Sequence, residues 1–450
     1  MVGAAGDREQ RRRLETADRI VEICRDVYPV RGLIVSPDID RAFDRMVEEW
    51  PELTLHSYPT GSAAEDWLVP PSWQAVEGRL ETEDGRVLAS LEESFLFVAP
   101  YSEPVDGVFT KAEIGAHSRT RPNQPDAYFL EHRNAYNYQL VDWGITLPHA
   151  VWEAMPEDAR YRVVIRTELA EGALKVGEYL LPGRRPEIIC LCSQFDELCN
   201  DGQSSAVLGL ELIKWLARRP REEREFSYQV LMVPELVGTL FYAFNNREVL
   251  DRTVAMFNLE TLGAGDGWVL KRALRDGGTM EDALEDALSG LGKDFTAVDF
   301  FGGYGNDERV YAWPTFGVPG PGLQRFPFQQ YHTSHDTPEL LERELLAEAL
   351  EICEETIETL ERNYVPRYRG VLPPWLTKHD LYYDVREDPA RANTLNGSVL
   401  YGIDGKTSVL RLARDAGLPF ALVWRFLESF IDKGLIEKRP LTWDELRAGA

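Results

Sequence analysis

A continuous apolar run at 187–193 is followed by a loop carrying Gln194, Asp196 and Asp201, then by a helical pattern over 204–219. In that pattern Val207, Leu208, Leu210, Leu212, Ile213 and Leu216 fall on one side. Strand, acidic loop and helix in this order form a βα unit. Such a unit places polar groups at the carboxyl edge of a parallel sheet, where ligands bind. The alternation continues: further strands are expected at 161–166, 228–233 and 254–259, and helices at 238–247, 279–288 and 338–362. An α/β/α sandwich with a mixed sheet follows from that pattern.

Other parts of the chain read differently. Residues 8–49 show helical spacing of Leu14, Ile20, Val21, Ile23 and Cys24, and later of Phe43, Met46 and Val47, broken at Tyr28-Pro29 and Pro37-Asp38. From 67 to about 160, short alternating runs are separated by turn residues, with Asp84-Gly85 a hairpin signal. After Tyr364 comes a linker with Pro373 and Pro374, then a helical stretch, a turn at Gly417, a helix over 420–433 and a short β run from Gly434, the order of a winged helix. The expected units are therefore 1–64 joined with 161–366, an inserted β-rich block at 65–160, and a linker with winged helix at 367–450.

Composition narrows the possibilities. At 450 residues the chain is too long for one ordinary core. No run of about 18 apolar residues suggests a membrane span, and the charged N-terminus does not resemble a signal peptide, so a cytoplasmic setting is expected. The net charge of −26 opposes general affinity for nucleic acid or anionic membrane. Three of the five cysteines (Cys190, Cys192 and Cys199) crowd near the acidic loop, as buried thiols or as soft-metal ligands.

Four clusters lie at strand ends or in later loops: Gln194/Asp196/Asp201, Pro234-Glu235, Asn258 to Glu260, and Tyr331 to Asp336 with His332 and His335. Carboxylates and imidazoles delivered together suit a metal site, with a free glutamate taking the proton from water. Each acidic residue alone would more often cap a helix or be solvated.

On these residues the chain resembles the zinc aminopeptidase and glutaminyl-cyclase superfamily, and within it the aminopeptidase-like proteins of polysaccharide-biosynthesis loci. The His-x-Asp motif of that superfamily falls on Gln194 to Asp196, its bridging Asn-Asp on Asn200-Asp201, and its acidic strand ends on Glu235 and Glu260. Its late His-Thr falls on His332-Thr333. In the subgroup, Asp66 to Trp73, Tyr101 to Pro104 and Asp142 to Ile145 match the inserted domain. The resemblance implies zinc held by Asp201, Glu260 and His332, with Glu235 and Asp196 as catalytic residues. Gln194, His335 and Asp336 would serve a second metal or the surroundings of the first. The Asp-Glu-Arg element with Tyr304 implies a substrate site in which Arg309 grips a carboxylate; an internal salt bridge is the plain alternative.

Two departures stand out. Gln194 replaces an imidazole ligand by a neutral amide, and only Glu235 stands where the superfamily has two adjacent glutamates. One zinc ion rather than two is expected, in a hydrolase acting on a small peptide or amide. A catalytically inactive binding protein of the same fold is the alternative, and a homo-oligomer is left open. A third class, a regulator reading DNA through the winged helix, is opposed by Glu428 and Asp432 on the helix that would face phosphates, and by the overall charge. That domain is expected to contact the catalytic domain or a second subunit instead. At about 0.15 M salt, no sequence-independent DNA binding is predicted, because each neutralised phosphate must contribute to counterion release. A gel shift with random duplex DNA at micromolar protein tests this, and a salt-sensitive complex would favour the regulator.

Overall fold

The computed structural model describes residues 2–132, 135–275, 278–302, 305–383, 386 and 388–448. Two N-terminal helices, α1 (Val2–Val27) and α2 (Pro37–Glu49), come first. The second starts where local chemistry dictates: Pro37 takes the first helical position, and the Ser36 hydroxyl accepts from the Ile39 N–H as N-cap.

Eight strands build the main sheet: β1 (Thr54–Pro59), β2 (Ala173–Leu181), β3 (Ile188–Gln194), β4 (Ser227–Val233), β5 (Thr253–Glu260), β6 (Trp268–Lys271), β7 (Phe295–Val298) and β8 (Gly322–Arg325). Their spatial order is β1-β2-β4-β3-β5-β8-β6-β7. The central strands β4, β3, β5 and β8 are parallel, β1 pairs antiparallel with β2, β2 with β4 and β6 with β8, and β7 pairs parallel with β6. Gln194 and Glu260 end their strands, and Glu235 lies just past Val233. All three therefore emerge at one edge.

Period-two alternation divides β3 between two cores. Ile189 and Leu191 join the apolar cluster that contains α1, α2, α3 (Ser204–Ala217) and α6 (Arg343–Arg362), together with α5 (Gly278–Gly290). Cys190 and Cys192 face the other way, with Tyr242 and Ala243 of α4 (Val237–Asn245) and with Tyr311. Helices on both faces of a mixed sheet make the α/β/α sandwich. All five cysteines are buried and free, and burial raises the Cys190 and Cys192 thiols far above their usual range. They behave as small apolar side chains.

The run at 161–166, read as the first strand of the sandwich, belongs elsewhere. Arg160–Ala170 pairs with Ser72–Thr82 and with Val105–Thr110 in a separate four-stranded sheet, completed by Val87–Ser90. Tyr161, Val163 and Ile165 bury into that sheet's own core with Leu80, Phe97 and Ile114. Alternation identifies a strand but does not choose its partner. The helix expected over 338–362 is likewise split. A 3-10 turn, Pro338–Leu340, precedes α6.

At the C-terminus, α7 (Val409–Ala416) and α8 (Phe420–Asp432) are followed by Ile436–Arg439, which pairs antiparallel with Val365–Tyr368. Val409, Phe420 and Leu427 share the core of the sandwich. Arg414 Nη1 lies 3.0 Å from both Asp282 and Glu285 of α5, and the Phe420 N–H donates to Asp286 at 3.0 Å. This segment is docked on the main sheet domain. Among the described residues no helix is long and apolar enough to cross a membrane.

The turn between β3 and α3 is the tightest constraint at the sheet edge. Gly202 sits at φ +120°, and a Cβ there would meet the Gln194 carbonyl oxygen and Cγ, each at 2.7 Å. Gly202→Ala should therefore lower the unfolding free energy by about 1–3 kcal/mol. The control Gly290→Ala, with open space around it, should be near neutral. Urea denaturation of the two variants checks the difference.

Candidate functional site

The loop after β3 is shaped by a carboxylate from a distant segment. Asp336, fully buried, accepts from the Asn200 N–H at 2.7 Å and the Asp201 N–H at 3.0 Å. Asn200 ties the loop to the far side through its Oδ1, which accepts from the Gly263 N–H at 2.8 Å. Held in this way, Asp201 turns its side chain inward, where its Oδ1 has no hydrogen-bond partner among the described residues. Its Oδ2 lies 3.0 Å from His332 Nε2. Burial raises the Asp201 pKa to about 6, with the facing imidazole restraining the rise.

His332 converges with two residues that sequence reasoning passed over. Glu197 Oε2 lies 3.3 Å from His332 Nε2, and Glu197 Oε1 lies 2.8 Å from His132 Nε2. The ligand atoms of His132, Glu197 and His332 all fall within 4.8 Å of one another. Despite full burial, the two imidazoles hold the Glu197 carboxyl well below its usual range. Burial by itself would depress His332, but Asp201 and Glu197 carry its pKa well above 6.5.

The His332 backbone is unusual and externally held. Its φ is +57°, a conformation that costs a non-glycine residue about 1–3 kcal/mol. A short stretch from the second-sheet block offsets this. The Leu130 N–H donates to the His332 carbonyl at 2.8 Å, Phe129 bridges Thr333, and the Ser334 N–H donates to the Tyr128 carbonyl at 3.0 Å. Tyr331 stacks on the His332 ring with centroids 3.8 Å apart.

The remaining expected residues are placed as follows. Glu235 accepts a hydrogen bond from the Tyr136 hydroxyl, and burial together with Glu197 raises its pKa well above the usual range. Asp196 is engaged by backbone: its oxygens accept from the Ile34 N–H at 2.8 Å and the Glu235 N–H at 2.9 Å, so it fixes the loop that presents Glu235. Glu260 is buried and accepts from the Gln324 amide; burial and the Asp201 charge raise its pKa to about 8. Gln194 packs against Gly202, and its Oε1 is buried without a partner. His335 points away, its Nε2 3.8 Å from Asp126 at the surface. Asp307 accepts from the Leu236 N–H at 2.9 Å and from Thr239, and Glu308 pairs with the buried Lys271. Of that element Arg309 alone is exposed, lying over Gly305. Tyr304 lies outside the described residues.

Glu197 had a signal in the sequence, since it adjoins Asp196 in the acidic loop. His132 and Tyr136 had none, because they lie in the block read as an insertion. As a donor set, imidazole and carboxylate around the buried Asp201 side chain fit a zinc ion. Oxygens buried without donors are costly unless a cation or proton satisfies them.

Comparison with known proteins agrees with the fold. A curated protein of Clostridium acetobutylicum, provisionally named a polysaccharide biosynthesis protein with aminopeptidase-like domain, is 27% identical over 425 residues, covering 90% of this chain and 93% of the relative. A crystal structure from the same organism, provisionally described as a peptidase, superposes with a TM-score of 0.81 at 24% identity, covering 96% of this chain and 99% of that one. The zinc aminopeptidase of Bacillus subtilis superposes with a TM-score of 0.56 at 14% identity, covering 76% and 94%. The fold is thus aminopeptidase-like. The family model described as "Domain of unknown function (DUF4910)" matches residues 21–363, and the chain belongs to that family.

Proposed function

We propose that the protein is a zinc-dependent hydrolase of aminopeptidase type, acting on a small peptide or amide. The observation that carries this reading is the Asp201 carboxylate, fully buried, with its Oδ2 3.0 Å from His332 and its Oδ1 without a hydrogen-bond partner among the described residues. Asp201 and His332 would hold the metal, with Glu260 as the further carboxylate from the neighbouring strand. One ion fits better than two, because Gln194 offers an amide where a second position needs imidazole. When bound, zinc supplies a Lewis acid for the scissile carbonyl.

The chain's own residues supply the rest. Glu235, its proton affinity raised by burial, accepts the proton that water loses as its oxygen joins the carbonyl carbon. It returns that proton to the departing amine when the C–N bond breaks. Tyr136, donating to Glu235, aims the carboxylate. Asp196 locks the backbone of the same turn, and the exposed Arg309 would meet a substrate carboxylate. The name of the Clostridium relative directs the substrate proposal toward amide-bearing precursors of polysaccharide synthesis. A non-catalytic binding protein is the second reading, favoured by the amide at Gln194.

Metal analysis separates the two readings. After dialysis against zinc and removal of excess, one zinc per chain is expected by atomic emission; none would favour the binding protein. Glu235→Gln should leave zinc content unchanged and lower kcat on aminoacyl amides by roughly 10²–10⁴. Gln194→His should raise the zinc bound per chain. An unchanged stoichiometry would count against a second position otherwise intact.

A further inference from the structure

A second imidazole reaches the site from a different part of the chain. His132 follows by two residues the Leu130 N–H that grips the His332 carbonyl, so the contact that positions one imidazole also delivers the other. The two rings lie 4.8 Å apart, centroid to centroid. Between them the buried Glu197 carboxylate presents Oε1 to His132 at 2.8 Å and Oε2 to His332 at 3.3 Å. A closed ion-pair network would leave few oxygens over. Here Glu197 Oε2 and Asp201 Oδ2 share one imidazole nitrogen, His332 Nε2, and Asp201 Oδ1 is buried without a hydrogen-bond partner among the described residues. Two imidazoles and one carboxylate are the donor set of catalytic zinc sites that keep a position open for substrate or water.

We infer that zinc at this centre is held by His132, Glu197 and His332 together, with His132 supplied by the second-sheet block. This rests on the zinc reading above, keeps His332 as a ligand, and puts His132 and Glu197 beside it in place of Asp201 and Glu260. The block is thereby part of the metal centre: the site is complete only when 128–132 is docked on 332–334. That docking has a further anchor, the Tyr128 N–H donating to the Ser334 hydroxyl at 3.1 Å, while Tyr128 is itself held within the block by donating to Glu93 at 2.6 Å.

Zinc affinity measured by chelator competition, on the full chain, tests the assignment. His132→Ala should weaken zinc binding by more than about 100-fold, beyond the 10–100-fold that losing a ligand's hydrogen-bonding neighbour costs. The metal-free variant should still unfold in one cooperative thermal transition, shifted below that of the metal-free wild type by loss of the His132–Glu197 pair. His132→Cys gives a readout independent of affinity. Loaded with cobalt, it should show a thiolate-to-cobalt charge-transfer band that the cobalt-loaded wild type lacks. A smaller loss in His132→Ala, or a cobalt spectrum of His132→Cys without that band, overturns the inference while leaving the zinc reading standing. A wild-type protein that takes up neither metal overturns both.

Discussion

Five carboxylates, Asp196, Glu197, Asp201, Glu235 and Glu260, meet at one sheet edge, and keeping them together out of water is the constraint around which the site is arranged. Each is accommodated differently. Asp196 receives two backbone N–H groups, Glu260 the Gln324 amide, and Glu235 the Tyr136 hydroxyl. Glu197 lies between two imidazoles. Asp201 faces the His332 ring, which it shares with Glu197. Burial raises Asp196 to about 7 and Glu260 to about 8, the response of like charges short of compensation. A divalent cation would relieve that shortage, as would protons. The donor types around Asp201 favour the cation.

The geometry of the edge is over-determined by contacts that take no part in chemistry. Asp336 fixes the backbone of Asn200 and Asp201, and Asn200 in turn fixes Gly263. Asp307 holds the turn after Glu235 through the Leu236 N–H. Leu236, Thr261 and His332 all take positive φ, at or just past the points where the chain leaves the site. Such conformations persist only where surrounding structure compensates for them. The second-sheet block provides that support at His332, through a backbone bridge whose register leaves little freedom.

Much of the framework was legible in the chain itself. β3, β4 and β5 lie within one residue of the runs read from apolar continuity, and α3 and α5 within two, because strands buried on both faces and helices with one wet face leave strong periodic marks. The parallel arrangement then carries Gln194, Glu235 and Glu260 to a common edge without further information. The acidic loop, its glycine and its helix are local features, and local chemistry identifies them.

What local chemistry does not carry is partnership across distance. The strand at Arg160–Ala170 has the alternation of any half-buried strand, and its membership in the second sheet was decided by which neighbours completed its core. Asp336 reads as a helix cap by position, yet its carboxylate is used 135 and 136 residues earlier in the chain. His132 and Tyr136 sit in a block with no periodic link to the sandwich, and only docking of Tyr128 to Leu130 against the His332 turn brings them to the edge. Sequence by itself determined the sheet edge and its acidic residues, because hydrophobic periodicity and turn chemistry act over a few residues. The tertiary structure alone decided which imidazoles face those carboxylates, because that depends on packing between segments far apart in the chain.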